Sequence, residues 1–289
     1  IAQGDQKARE AAYATIRSQT TVRTHRQLFD LLNALRQIDG KIHASSGLKR
    51  ALRGWYQAKN ARWTAMQIAK YRSGSYKNGR AVHSISTNDV LRLAHPKPDS
   101  EVRSAVYAWG VGEESLSAWA KNEIRPSELY NTSSNDMEAL DYLWAVERAR
   151  AAASADEIVR LIVEFGLTHE MIPNTWYRSE TKEQKRDAQK IWRALVGLES
   201  GQYSMPLGAL LRNLGRLSML EVLSPLGTLD ARKFVIDKLT NEKALRGARI
   251  HPIAVLSALR VYSQGHGARG DMSWRPAADI VDALDQAFT

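Results

Sequence analysis

The side chains best suited to chemistry in this chain are cations set among rings. Between Arg36 and Arg80 stand eleven basic residues: Arg36, Lys41, Lys49, Arg50, Arg53, Lys59, Arg62, Lys70, Arg72, Lys77 and Arg80. The only acid there is Asp39, so the segment carries +10, the formal net charge of the whole 289-residue chain. Removing eleven of the 41 Lys+Arg and one of the 31 Asp+Glu leaves 30 of each sign elsewhere. Trp55, Tyr56, Trp63, Tyr71 and Tyr76 are interleaved with these cations. Fixed positive charge beside flat π-faces suits a polyanion that carries rings of its own, which is nucleic acid, and single strands in particular. The competing reading is a solvated helix face over an apolar core, the usual fate of charge runs and of Trp at helical spacing. On a helix, Lys49, Arg50 and Arg53 share one side while Leu48, Leu52 and Trp55 share another. Trp55 is therefore expected in the core, with the basic side facing out.

Catalytic constellations are sparse. Of the seven histidines, His25, His43, His83, His95, His169, His251 and His266, only His169-Glu170 begins like a zinc-protease helix. The second histidine of that motif is replaced by Pro173. No P-loop, G-x-S-x-G or G-x-G-x-x-G is present, and acidic clusters suited to two-metal nuclease chemistry are missing. A helical nuclease using His95 or His251 is the residual enzymatic reading, and for His251, just before Pro252, the plainer role is to start a helix. No catalytic residue, cofactor or metal is expected. With no cysteine, disulfides and thiol chemistry are excluded, which fits a reducing cytoplasm. A pI near 9.8 favours anionic partners, and no apolar run is long enough to span a membrane.

The elements that must position these residues read as helix almost throughout. Apolar residues recur at helical spacing over 5–19 and 26–38. Two further helices, about Gly47–Ala58 and Arg62–Tyr71, carry the basic stretch. Ser73–Ser86 reads as a loop, and 88–94 as a short helix ended by Pro96 and Pro98. Segments 100–108, 115–124, closed by Pro126, and 136–153 follow. Ser154 with Glu157, and Thr181 with Gln184, have capping-box spacing. Pro206, Pro252 and Pro276 suit first helical turns. Met205–Leu220 is two-faced, with Leu207, Leu210, Leu211, Leu214 and Leu217 on one stripe and Arg212 and Arg216 opposite. No strand signal stands out. About fifteen helices with short links predict an all-α, HEAT-like solenoid, with an irregular helical bundle as the alternative.

Several ordered motifs carry a family resemblance. They include Lys70-Tyr71-Arg72, the run Asp89–Pro98 and Leu167-Thr168-His169-Glu170-Met171-Ile172-Pro173. Further along come Met205-Pro206-Leu207 with Leu210–Gly215, Ala248-Arg249-Ile250-His251-Pro252, Gly265–Gly270 and Trp274-Arg275-Pro276. Together they resemble the TROVE module of the Ro autoantigen family. The resemblance implies a helical-repeat RNA-binding scaffold over 1–289, without the family's first helices and its von Willebrand factor A domain. It further implies a ring of HEAT-like repeats that holds small noncoding Y RNA on a basic outer surface. Single-stranded 3′ ends of misfolded RNA would pass through its centre, with an exoribonuclease such as polynucleotide phosphorylase as partner. The chain departs from the pattern where the family's Ser-His-Lys-Asp reads Ser86-Thr87-Asn88-Asp89, which removes a His of the Y RNA site.

The expected RNA contacts are Lys49, Arg50, Arg53, Arg62, Lys70, Arg72, Arg92 and Lys97 to phosphates. His95 and Tyr76 are expected to stack on bases, and Arg212, Arg216, Arg249 and His251 to line an inner face. The rival function is a protein-binding solenoid whose basic patch meets an acidic partner.

Overall fold

The computed structural model describes residues 6–18, 21–39, 45–71, 76–77, 80–81, 85–130, 136–199, 203–224, 229–248, 250–267 and 271–288. The chain divides into two units, Ile1–Ala151 and Ala152–Thr289. Sixteen α-helices are found among the described residues, so the all-α expectation is met.

The first unit holds α1 (Gln6–Ser18), α2 (His25–Asp39), α3 (Ser46–Gln57), α4 (Ala61–Tyr71), α5 (Thr87–Ala94), α6 (Glu101–Val111), α7 (Ser115–Lys121), α8 (Pro126–Tyr130) and α9 (Met137–Ala151). Most helices pack on near neighbours in sequence, α1 on α3, α3 on α5, α5 on α6 and α4 on α6, as stacked helical repeats do. The exception is α9, which meets α4, α6, α7 and α8. Its sequence explains this: from Leu140 to Val146 nearly every residue is apolar and buried, so the helix has no outer face to give to water. The carboxylates it buries are satisfied. Asp141 accepts from Arg125 Nε (2.9 Å) and the Ser127 amide (3.0 Å), and Glu147 from Trp109 Nε1 (3.0 Å) and Ser117 Oγ (2.9 Å).

Helix starts follow the side chains that satisfy free amides. Ser45, Ser100 and Ser154 each accept from the amide three residues on, and Ser86 with Asp89 forms a reciprocal capping box, as Thr181 does with Gln184. Helix ends show a second rule. A helix leaves its last carbonyls unpaired and partly negative, and here an arginine from a neighbouring element repeatedly fills that need. Arg103 reaches Gln57 O of α3 (3.2 Å), Arg53 reaches Ala94 O of α5 (2.6 Å), and Arg92 reaches Val111 O of α6 (3.4 Å).

Two sequence expectations are corrected. Pro126 does not close the preceding helix, which ends at Lys121. It opens α8, where its missing N–H costs nothing. The loop read over Ser73–Ser86 contains a short antiparallel hairpin, β1 (Tyr76–Lys77) with β2 (Arg80–Ala81), in the register Tyr76↔Ala81 and Lys77↔Arg80. The two residues between the strands are Asn78-Gly79, the dipeptide favoured in two-residue hairpin turns, and that cue outweighs the absent alternation.

The second unit holds α10 (Ala155–Phe165), a 3₁₀ turn (Asn174–Tyr177), α11 (Lys182–Val196), α12 (Leu207–Met219), α13 (Leu229–Thr240), α14 (Glu242–Ala248), α15 (Pro252–Gln264) and α16 (Ala278–Phe288). Here α10 packs on α11, α12 on α15, and α16 on both α13 and α15. The stripe Leu207, Leu210, Leu211, Leu214 and Leu217 is buried as its spacing requires. Gly215 lets α12 approach its neighbour, since a Cβ there would lie 2.6 Å from the Trp274 ring.

Candidate nucleic-acid interface

The basic stretch resolves into an outward face on α3 and a buried aromatic knot beneath it. Leu48, Leu52, Trp55 and Tyr56 are buried, Trp55 and Tyr56 completely. Trp55 donates to the Val22 carbonyl (2.6 Å), so it is core, as its spacing predicts. On the other side Arg50 is exposed and Lys49 half-exposed. Arg17 of α1 joins them, because its Cγ lies 3.4 Å from where a Gly54 Cβ would stand. Sequence reasoning missed Arg17. Its place on this face depends on how α1 packs against the Gly47 and Gly54 side of α3, and no local pattern announces that.

The C-terminal end of α3 continues the face onto α5. Arg53 bonds the last carbonyl of α5, Ala94 O, and Gln57 Nε2 donates to Lys97 O (3.4 Å). His95 and Lys97, both exposed, follow directly after α5 where Arg53 and Gln57 of α3 meet it, and exposed Arg50 and half-exposed Lys49 stand one turn before Arg53 on α3. Exposed Arg92 stands one turn before His95.

His95 caps α5 in the left-handed region, at φ 45. Among the described residues four other left-handed positions, Gly112, Gly166, Gly197 and Gly265, use glycine, which adopts that conformation without a steric penalty. The remaining non-glycine cases, Glu123 and Glu221, each hold a cation: Glu123 with Arg148 at 2.6 Å and Glu221 with Lys185 at 2.7 Å. Among the described residues the His95 ring has no such partner and stays in solvent.

Several expected contacts are taken up inside the protein. Arg53 is a clasp between α3 and α5 through its Nε. Arg62 leans on α9, with Nη1 3.4 Å from Glu138 O and 3.8 Å from Glu138 Oε2, and its guanidinium lies 5.4 Å from the Tyr142 ring. Lys70 is exposed, its ammonium 5.7 Å from the Tyr71 ring. Arg72 and the side chain of Tyr76 lie outside the described residues.

The interleaved aromatics mostly serve structure. His25, fully buried, bonds Tyr56 Oη through Nε2 (3.0 Å) and contacts the rings of Phe29, Trp55, Tyr56, Trp63 and Tyr71. Burial first, and the Lys59 charge second, pull the His25 pKa down to about 3, so it is neutral. Lys59 sits 4.8 Å from the Trp63 ring centre and 5.3 Å from that of Trp55. Burial, then the Arg23 charge, lowers its pKa. Among the described aromatic rings of this stretch Trp63 and Tyr71 are half-exposed.

In the second unit Arg212 is exposed. Arg216 does not project freely: its guanidinium lies 5.7 Å from the Trp192 ring and 6.0 Å from that of Tyr177. Tyr177 donates to His169 O (2.8 Å), and burial drives its phenol pKa upward. Asn213 Nδ2 donates to Ala209 O, one turn back on its own helix. His251 is the exposed N-cap of α15, its Nδ1 accepting from the Ile253 amide (3.2 Å), which is the helix-starting role. Arg249 lies outside the described residues. Among the described residues no helix is long and apolar enough to cross a membrane.

The sequence profile of the TROVE domain matches residues 12–261. The chain is 26% identical over 304 residues to "RNA-binding protein RO60" of Caenorhabditis elegans, a match covering 92% of this chain and 43% of that protein. It is 33% identical over 205 residues to the protein of the same name from Deinococcus radiodurans, covering 71% and 32%. The crystal structure of the Deinococcus radiodurans RO (RSR) protein superposes with a TM-score of 0.65 at 28% identity, over 98% of this chain and 48% of that one. The matches thus span less than half the length of each of these proteins. With its profile match, its relatives and its helical architecture in agreement, the chain belongs to the TROVE domain family.

Proposed function

We propose that this chain is an RNA-binding helical scaffold rather than an enzyme, with its principal contact surface on the shoulder of α3 and α5. One observation carries the reading: Arg50, exposed, and Lys49, half-exposed, lie in the segment that supplies the chain's whole net charge, and Arg53 ties their helix to the end of α5, beside exposed His95 and Lys97. The two relatives named as RNA-binding proteins support it. Lysine and arginine there bind phosphates largely independently of sequence, and His95 offers a ring to an unstacked base.

The finer reading follows the family. The basic shoulder takes a small Y-like RNA, misfolded noncoding RNA with a single-stranded 3′ end is a second ligand, and a cytoplasmic exoribonuclease is the protein partner. Thr87 replaces the family's histidine, so recognition on this face relies on His95 and the neighbouring cations.

A mobility-shift titration tests the proposal. RNA with a single-stranded tail should bind more tightly than fully paired RNA of equal length, and an acidic peptide should not displace it. Displacement by the peptide at matched charge would favour the protein-binding alternative, and cleavage of labelled RNA on prolonged incubation with Mg²⁺ would point to a nuclease.

A further inference from the structure

The second unit contains a cavity of about 820 Å³ that the basic shoulder does not use. Its walls come from α11, the end of α12, α13 and the residues leading into α16. That volume lies within the usual range for small-molecule sites, which combine apolar walls with a few oriented polar groups. Leu223 and Pro276 supply apolar wall, and Gln189, Glu221, Arg232 and Arg275 the polar groups.

Three of those four are already held in place. Gln189 Nε2 donates to Leu220 O (2.7 Å), which fixes its amide and leaves Oε1 as an acceptor. Arg232 is paired with Asp279. Glu221 is paired with Lys185 at 2.7 Å and sits in the left-handed region at φ 59, a strained setting for a non-glycine residue. These pairings cancel the charges of Arg232 and Glu221. Arg275 remains, exposed and without a carboxylate partner among the described residues, so the cavity presents one uncompensated guanidinium.

We infer that this cavity binds a nucleoside monophosphate, with Arg275 on the phosphate, the base against Pro276, and the Gln189 amide on the base edge. A guanidinium fork matches a phosphate's paired oxygens, and a fixed amide matches the donor and acceptor edge of a base. The nucleotide is either free or the 5′-phosphorylated end of an RNA strand. The cavity's occupancy by the free nucleotide does not depend on the RNA reading above.

Isothermal titration of the whole chain with adenosine monophosphate tests this. Saturable binding should weaken at least fivefold in Arg275→Gln, while adenosine binds both proteins equally and more weakly. Lys49→Ala/Arg50→Ala should bind the nucleotide as the parent does, which separates this site from the basic shoulder. Displacement by a 5′-phosphorylated oligonucleotide, but not by its 5′-hydroxyl counterpart, would assign the RNA end. Displacement by neither would assign the free nucleotide. No binding at millimolar nucleotide to the folded parent would overturn the inference. So would equal affinity in Arg275→Gln, or loss of nucleotide binding in the α3 variant.

Discussion

His95 keeps a side chain where glycine would be less strained, and that side chain is exposed and has no partner among the described residues. The αL conformation costs a non-glycine residue roughly 1 kcal/mol, partly offset by the greater chain entropy of unfolded glycine. His95→Gly is therefore expected to leave stability unchanged or raise it by about 0.5 kcal/mol, while weakening RNA binding several-fold. Urea denaturation and a binding titration on the same protein check both halves. A loss of stability with unaltered binding would make His95 structural. His25 is the converse, a buried ring that holds α2, α3 and α4 together. Its folded pKa lies near 3 and its unfolded pKa near 6.5, so below 6.5 the unfolded chain binds a proton that the native one refuses. Its stabilising contribution is intact above pH 6.5 and erodes by up to about 1.4 kcal/mol per pH unit down towards pH 3. Denaturation curves at pH 7, 6 and 5 should show that slope in the parent and a shallower one in His25→Gln, whose amide can still bond Tyr56. Equal slopes would remove His25 from the account. The sequence showed that both residues exist but not how they differ, because the burial of His25 is set by α3 and α4 and the φ of His95 by the way α5 ends.

At the scale of elements, the helices were legible because amphipathic period, serine and threonine caps and prolines all act locally. What escaped was tertiary. Arg53, Arg62 and Arg216 are all expected as RNA contacts, and each also meets a carbonyl, a carboxylate or a ring brought by another element. Arg17 escaped in the opposite direction, carried onto the α3 face by helix packing. Asn78-Gly79 shows that a two-residue cue can mark a hairpin without flanking alternation. Close packing also makes a counterintuitive prediction on α12. Alanine is a better helix former than glycine by roughly 1 kcal/mol, but a Cβ at Gly215 meets Trp274 at 2.6 Å. Gly215→Ala should lower stability by about 1–3 kcal/mol, the usual cost of overpacking. A rise in thermal midpoint would show that the α12 contact yields easily.

Across the molecule, electrostatic asymmetry is the property that ties sequence to function. Outside residues 36–80 the charges balance, so the net field originates in the first unit's early helices. Composition alone disclosed that much. Which members of the segment face water required the fold: among the described residues Arg50 and Lys70 are exposed and Lys49 is half-exposed, with Lys97 and Arg17 exposed from outside the segment. The most direct measurement is RNA affinity as a function of salt for the parent and for Lys49→Ala/Arg50→Ala. Each phosphate contact on a single strand contributes about 0.7 to the slope of log affinity against log salt. Removing two should weaken binding at least tenfold at moderate salt and reduce the slope by about 1.4. An unchanged affinity and slope in a variant that folds as stably as the parent would contradict the assignment of this face to RNA.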